Sequence, residues 1–152
     1  MGKAWRFSYD STLSVDASTG NVKVIYPDGH TVIFTPKSGG GGYDAPETVF
    51  DILTANAGGT YTLTLQNKLI YDYDVNGRLT AISDTNGNSV SLQYGSDGYL
   101  NTVTGAGGKV LSFDFESGKL KTITDPAGRT IAYSYTSGNL IQVKGVGGGT
   151  IR

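Results

Sequence analysis

The stretch Tyr71-Asp72-Tyr73-Asp74-Val75-Asn76-Gly77-Arg78-Leu79-Thr80-Ala81-Ile82-Ser83-Asp84-Thr85-Asn86-Gly87-Asn88 decides the fold, because its pattern is repeated to the end of the sequence. The glycine-x-leucine step recurs at Gly77/Leu79, Gly98/Leu100, Gly118/Leu120 and Gly138/Leu140, which spaces the glycines by 21, 20 and 20 residues. Three residues after each leucine stands a β-branched residue: Ile82, Val103, Ile123, Val143. An aromatic recurs in phase as Tyr73, Tyr94, Phe115 and Tyr135, and a further glycine as Gly87, Gly108, Gly128 and Gly148. A fixed period of this length marks an array of stacked supersecondary units and not a compact enzyme.

Each unit reads as a hairpin. Asp125-Pro126-Ala127-Gly128 suits a type I turn, with Asp first, Pro presetting φ second and Gly fourth, and Asp84-Thr85-Asn86-Gly87 is its counterpart without proline. The run that follows alternates strictly, as Val90/Leu92/Tyr94 and Ile131/Tyr133/Tyr135, the mark of a strand with one buried face. The next turn carries Asn76-Gly77, Asp97-Gly98, Ser117-Gly118 or Ser137-Gly138, residue pairs that tolerate positive φ in tight hairpins. Leu79 and Ile82 are three apart, which breaks period two and predicts a bulge or bend between them. In-register stacking predicts that Tyr73, Tyr94, Phe115 and Tyr135 lie beside one another as a packing ladder.

The fold class expected is therefore all-β: antiparallel hairpin repeats of 20–21 residues stacked into a curved, spiralling sheet. Three parts are expected, namely head strands over 1–36, a glycine-rich loop and connector over 37–60, and the hairpin repeats over 61–152. In the head, alternation predicts strands at Trp5–Leu13, Asn21–Tyr26 and His30–Pro36, the last two joined by Pro27-Asp28-Gly29. Lys37–Gly42 reads as a loop, and Asp44–Asn56 as a long loop with at most one helical turn, since Thr48, Val49 and Ile52 dilute helix propensity. Thr60–Leu65 and Lys68–Tyr73 then pair around Gln66-Asn67.

These residues resemble the YD repeat of Rhs proteins. The pattern Tyr71 to Asn88 carries the resemblance, as do Gly118 to Tyr135 and the head Gly2–Asp10 followed by Tyr26-Pro27-Asp28-Gly29. The resemblance implies a share of a β-shell of the kind built by Rhs toxins, toxin-complex proteins and teneurins. It also implies that the chain is part of a larger protein, bacterial and secreted or cell-surface, whose cage encloses a C-terminal toxin cargo or presents a contact surface. A carbohydrate-binding role is the alternative, and Tyr26, Tyr43, Tyr61 and Tyr99, which lie off the ladder, are its candidate contacts. Exposure of these four on one face would distinguish it.

Composition bounds the rest. Glycine is 23 of 152 residues, about twice the usual ~7%, as a sequence with frequent turns requires. With 12 basic and 13 acidic residues there is no field to attract nucleic acid. The protein has no cysteine, which excludes disulfides and thiol chemistry. No apolar run reaches the ~20 residues of a membrane span.

Chemistry finds little purchase. Asp72, Asp74 and Asn76 before Gly77 match the opening of an EF-hand loop, but position twelve is Ser83 and the flanks are strands, so the turn reading accounts for them and no metal or other cofactor is assigned. His30, the sole histidine, lies in an alternating strand and is not placed as a base. Asp125-Pro126-Ala127-Gly128 resembles the Asp-Pro-x-Gly motif of the Rhs autoprotease, yet the turn explains it. Gly105–Lys109 and Gly145–Gly149 open no helix that could hold phosphate. No catalytic residue is assigned. An array also ends in an unpaired edge, here near Ile131–Val143, where a homodimer could form.

Overall fold

The computed structural model describes residues 8–151, and the protein divides between Ser89 and Val90 into two compact units. Among the described residues every regular element is a strand except a single 3-10 turn at Ala57–Gly59.

The first unit holds β1 (Thr12–Val15), β2 (Val22–Ile25), β3 (Thr31–Pro36), β4 (Tyr43–Asp44), β5 (Ile52–Ala55), β6 (Tyr61–Thr64), β7 (Ile70–Tyr73) and β8 (Leu79–Ser83). Strands β1 to β4 pair in order as one antiparallel sheet, and β5 to β8 pair in order likewise. Alternation decides which side chains go inside: Val22 and Val24 of β2 and Val32 and Phe34 of β3 are buried, while Lys23 and Ile33 between them are exposed. Leu53 of β5 and Leu63 of β6 are directly opposed and both buried.

The expected strand at Trp5–Leu13 is corrected in part. Trp5 and Phe7 lie outside the described residues; Tyr9 sits in a turn, and β1 begins only at Thr12. The connector is also more regular than expected. Pro46 and Val49 close a turn, but Ile52–Ala55 is a strand paired with β6, not loop or helix. The β-branched residues that dilute helix propensity are what a strand prefers, and Leu53 supplies the buried contact.

The second unit is a run of hairpins: β9 (Ser89–Tyr94), β10 (Leu100–Thr104), β11 (Val110–Glu116), β12 (Lys119–Thr124), β13 (Thr130–Thr136), β14 (Asn139–Lys144) and β15 (Thr150–Ile151), with β9 starting at the boundary. Each strand pairs antiparallel with the next.

The expected bulge is present in all four repeats. Tyr73 faces Leu79 and Asp72 faces Ala81, leaving Thr80 as the extra residue. The same skip occurs at Asn101, Lys121 and Ile141. Its effect is to return Leu and the β-branched residue three later to one face. Leu79, Leu100 and Leu120 are buried, as is Val103, whereas the bulge residue Ile141 is 60% exposed.

The ladder needs correction. Tyr94, Phe115 and Tyr135 lie on alternate strands, with the strands bearing Leu100 and Leu120 between them, so neighbours in the row are two strand spacings apart, about 10 Å. Across the hairpin each aromatic faces a leucine instead: Tyr94–Leu100, Phe115–Leu120 and Tyr135–Leu140. The face is a mixed aromatic–leucine row.

Two loop geometries close the repeat hairpins from β7 onward. In the five-residue loop Asp74–Arg78 the Gly77 N–H donates to Asp74 O (2.9 Å) and the Asp74 N–H to Arg78 O (2.9 Å). The same bond pair closes 26–30, 65–69, 84–88, 95–99, 105–109, 125–129 and 145–149, with the fourth residue at positive φ. Ser117-Gly118 and Ser137-Gly138 are instead two-residue turns with both φ positive, the type I′ pattern. Asn76 and Asp97, grouped by sequence with those serines, keep negative φ because the longer loop requires only its fourth residue to be left-handed.

Seven of these five-residue loops put glycine at that position; the eighth puts Lys68 there at φ 70°. A Cβ in the left-handed region is strained, and glycine relieves the strain while adding unfolded-state entropy. Lys68→Gly is therefore expected to stabilise by about 0.5–1 kcal/mol, read as a rise in urea midpoint at unchanged m.

Candidate functional site

The carboxylates of the repeat are used to build turns. Asp74 Oδ1 accepts from the Asn76 and Arg78 N–H groups (both 2.9 Å), and its Oδ2 accepts from Arg78 Nε (2.8 Å) and Nη2 (2.7 Å). Asp125 repeats the arrangement with the Ala127 and Arg129 N–H groups and the Arg129 guanidinium. At Asp84, Asn88 replaces the arginine, its Nδ2 donating to Oδ2 at 2.8 Å. An Asp-x-x-Gly-Arg step thus locks its own loop, and the arginine is a partner that the sequence reading did not assign. The signal was present twice, at 74–78 and 125–129.

These bonds shift the carboxyls. Burial of Asp74 opposes ionisation, but the Arg78 and Asn76 N–H groups and the Arg78 charge outweigh it and hold the group below the usual carboxylate range. The Arg129 side chain lowers Asp125, the Asn88 side chain lowers Asp84, and the Ser18 hydroxyl leads in lowering Asp16 to about 2. A carboxyl with a depressed folded pKa binds fewer protons folded than unfolded, so its contribution is present above the unfolded value near ~4 and lost as pH falls through the folded value. Stability is expected to be flat from neutrality to about pH 5 and to fall between there and pH ~2, with Asp74→Asn flattening the fall. Urea midpoints against pH measure it.

The same set of bonds bears on the metal candidates. Both oxygens of Asp74 are committed to Arg78 and the loop, and Asp72 Oδ1 accepts from Thr62 Oγ1 at 2.7 Å. A cation at Asp72, Asp74 and Asn76 would have to displace the guanidinium. Among the described residues no group of three or more acidic or histidine side chains is gathered.

The first unit also contains a junction that the sequence did not announce. Leu13 N–H donates to Gly77 O (2.8 Å), Thr12 bridges Arg78, and the fully enclosed Tyr73 ring carries its hydroxyl to Ser11 Oγ at 2.7 Å. Ser11 spends its own proton on Ile25 O (3.0 Å), so Tyr73 is the donor. A head strand is thereby fastened to the first repeat. The equivalent hydroxyl of Tyr135 is buried with no hydrogen-bond partner among the described residues. Removing a satisfied hydroxyl leaves its partner orphaned, whereas removing an unsatisfied one relieves a desolvation cost. Tyr73→Phe is expected to destabilise by about 1 kcal/mol and Tyr135→Phe to be neutral or stabilising, as urea unfolding of the two variants would measure.

The four off-ladder tyrosines have separate environments. Tyr26 is buried, only 6% exposed, stacked on His30 (4.0 Å between centroids) with its hydroxyl donating to Asp51 Oδ2 at 2.6 Å. This corrects its place among exposed sugar contacts: Asp51 holds the hydroxyl inward, and burial with that carboxylate raises its pKa. His30, the excluded base, is paired with exposed Asp28 (2.7 Å) in the same loop. Tyr43 and Tyr61 are half-buried and tilted against each other at 6.2 Å.

Tyr99 is 40% exposed and stacks on Phe115, centroids 4.9 Å apart at 14°. Around this pair a shallow cavity of about 220 Å³ is lined by Ser96, Asp97, Asn101 and Asp114. Its polar rim beside an aromatic face is the one arrangement of this kind in the second unit's described residues that pairs an exposed candidate tyrosine with acids and an amide.

The RHS Repeat family model matches residues 73–110 and 113–150, half of the sequence. The protein belongs to the RHS Repeat family. The two matched spans begin at Tyr73 and Phe113, on the strands that lead into the first and third hairpins. No curated protein matches it. RHS repeats are structural units, and here the recurring positions Gly77, Gly98, Gly118 and Gly138 close loops while Leu79, Leu100 and Leu120 fill the buried face. No helix among the described residues is long and apolar enough to cross a membrane.

Proposed function

We propose that this protein is a non-catalytic wall segment of a larger RHS-repeat protein, whose hairpins form part of a β-cage that encloses a C-terminal toxin or presents a contact surface. The observation that carries this reading is the fate of the repeated residues. The loop carboxylates Asp74, Asp84 and Asp125 cap their loops, Asp72 bonds across strands to Thr62, and the recurrent leucines Leu79, Leu100 and Leu120 are buried. Side chains that recur for construction leave no set converging on a reacting atom. A secreted or cell-surface setting in a bacterium follows from the same reading, with the parts 1–36, 37–60 and 61–152 serving as head, connector and wall. Electron cryomicroscopy of the full-length protein tests it: residues 73–150 are expected in the wall of a hollow shell with density for cargo inside. An open rod with no enclosed volume would overturn it.

The Tyr99–Phe115 shelf favours a second reading as a carbohydrate-binding module, since aromatic faces with acidic and amide neighbours match the two faces of a sugar. A glycan array followed by calorimetry separates the two: saturable binding lost in Tyr99→Ala supports the module, and silence supports the wall. The edge expected near Ile131–Val143 lies at β14 instead, because β13 is paired with β12 and β14 on its two flanks while β15 covers only Val143 and Lys144 among the described residues; homodimerisation through this edge is part of the proposal. Light scattering at high concentration checks it.

A further inference from the structure

Two Asn-Gly steps lie in loops of one geometry, Asn76-Gly77 and Asn86-Gly87, and the structure treats them unequally. We infer that Asn86 is a site of spontaneous deamidation and isoaspartate formation, and that Asn76 is protected from it.

The chemistry needs no catalyst. The backbone nitrogen of the following glycine attacks Asn Cγ and bonds to it, and the bond between Cγ and the asparagine Nδ2 breaks. The glycine amide proton leaves with Nδ2 as ammonia, giving a succinimide. Water then opens the ring at either carbonyl, yielding aspartate or isoaspartate. Glycine as the next residue offers the least hindrance to the attack. The step requires the glycine N–H to leave its loop hydrogen bond, so the cost of opening the loop sets the rate.

At 74–78 that cost is high. The Gly77 N–H donates to Asp74 O at 2.9 Å, Gly77 O accepts from Leu13 N at 2.8 Å, and Thr12 bridges Arg78. The Arg78 guanidinium spans the loop to Asp74. At 84–88 the Gly87 N–H reaches Asp84 O at 3.3 Å, beyond the usual N–H···O range. A Cβ placed on Gly87 would meet nothing within 4 Å, and the fork from the fifth residue is a neutral Asn88 amide. Asn86 is exposed. The product would also disturb its surroundings: isoaspartate adds a methylene to the backbone of a loop whose Asp84 cap depends on the Asn86 and Asn88 N–H groups (2.8 and 3.0 Å).

Incubation of the full 152-residue protein at mildly alkaline pH, with peptide mass spectrometry and isoaspartate methyltransferase labelling over time, tests the inference. Conversion at Asn86 is expected at least about tenfold faster than at Asn76. In urea the two rates are expected to converge, because both steps are Asn-Gly. Gly87→Ala should suppress conversion at 86 and leave 76 unchanged. Equal rates in the folded protein, faster conversion at Asn76, or a ratio that persists in urea would each overturn the assignment.

Discussion

Gly77→Ala is expected to destabilise the first unit by at least about 3 kcal/mol, against about 1 kcal/mol for the same change at Gly87. Both glycines sit at the fourth position of the same loop, at φ 72° and 85°, so the strain of giving either a Cβ is common to the pair. The difference lies in what surrounds them. At Gly87 the added methyl enters open space, whereas at Gly77 it would overlap the Leu13 carbonyl oxygen, a backbone atom that cannot rotate aside. Relief requires β1 to move off the loop. That movement costs the Leu13–Gly77 hydrogen bond and strains the Ser11–Tyr73 bond, each about 1 kcal/mol net, besides the packing of buried Leu13. Urea unfolding of the two variants, followed by tyrosine fluorescence, measures the gap. Equal losses would mean that the head strand is not held against this loop.

The hairpin, its period, its loop glycines and its bulge were legible because each leaves a local mark. Leu79 and Ile82 three apart can share a face of a strand only if one residue is looped out, and Thr80 is that residue, its hydroxyl returned to Asp72 O at 3.1 Å. The alternation of Val22 and Val24 likewise foretold burial. What escaped is non-local. Ser11 meets Tyr73 across 62 positions and Asp51 meets Tyr26 across 25, pairings that no spacing encodes. Tyr26 stands among the candidate contacts because it lies off the ladder, yet Asp51 draws its hydroxyl inside. The strand Ile52–Ala55 hid behind a proline and two glycine-rich neighbours, and only its partner β6 makes it a strand. The row of aromatics was placed correctly along each strand but not across them, since period counting does not report that a leucine strand intervenes.

Leu79→Ala and Leu120→Ala are expected to cost about 2–5 kcal/mol each, while Ile141→Ala, a truncation of the same number of carbons, is expected to cost under ~0.5 kcal/mol. Leu79 is fully enclosed and Leu120 is 1% exposed, so truncation removes their transfer energy and leaves a cavity in each case. Ile141 directly follows Leu140 and reads in sequence as an equal member of an apolar run. The bulge turns it outward, to 60% exposure, while Leu140 stays opposite Tyr135 and Val143 stays opposite Tyr133. Thr80, Asn101 and Lys121 occupy the same bulge in the other repeats, and that this position accepts a hydroxyl, an amide and an ammonium shows how little the sheet asks of it. If Ile141→Ala proved as costly as Leu120→Ala, the bulge would not be redirecting the side chain, and the Leu-x-x-Ile/Val step would need another explanation. Because strands β13 and β14 bury no residue fully among those described, Leu140→Ala is expected to fall between the two, which makes the series Leu120, Leu140, Ile141 a graded measure of how far the packed face extends.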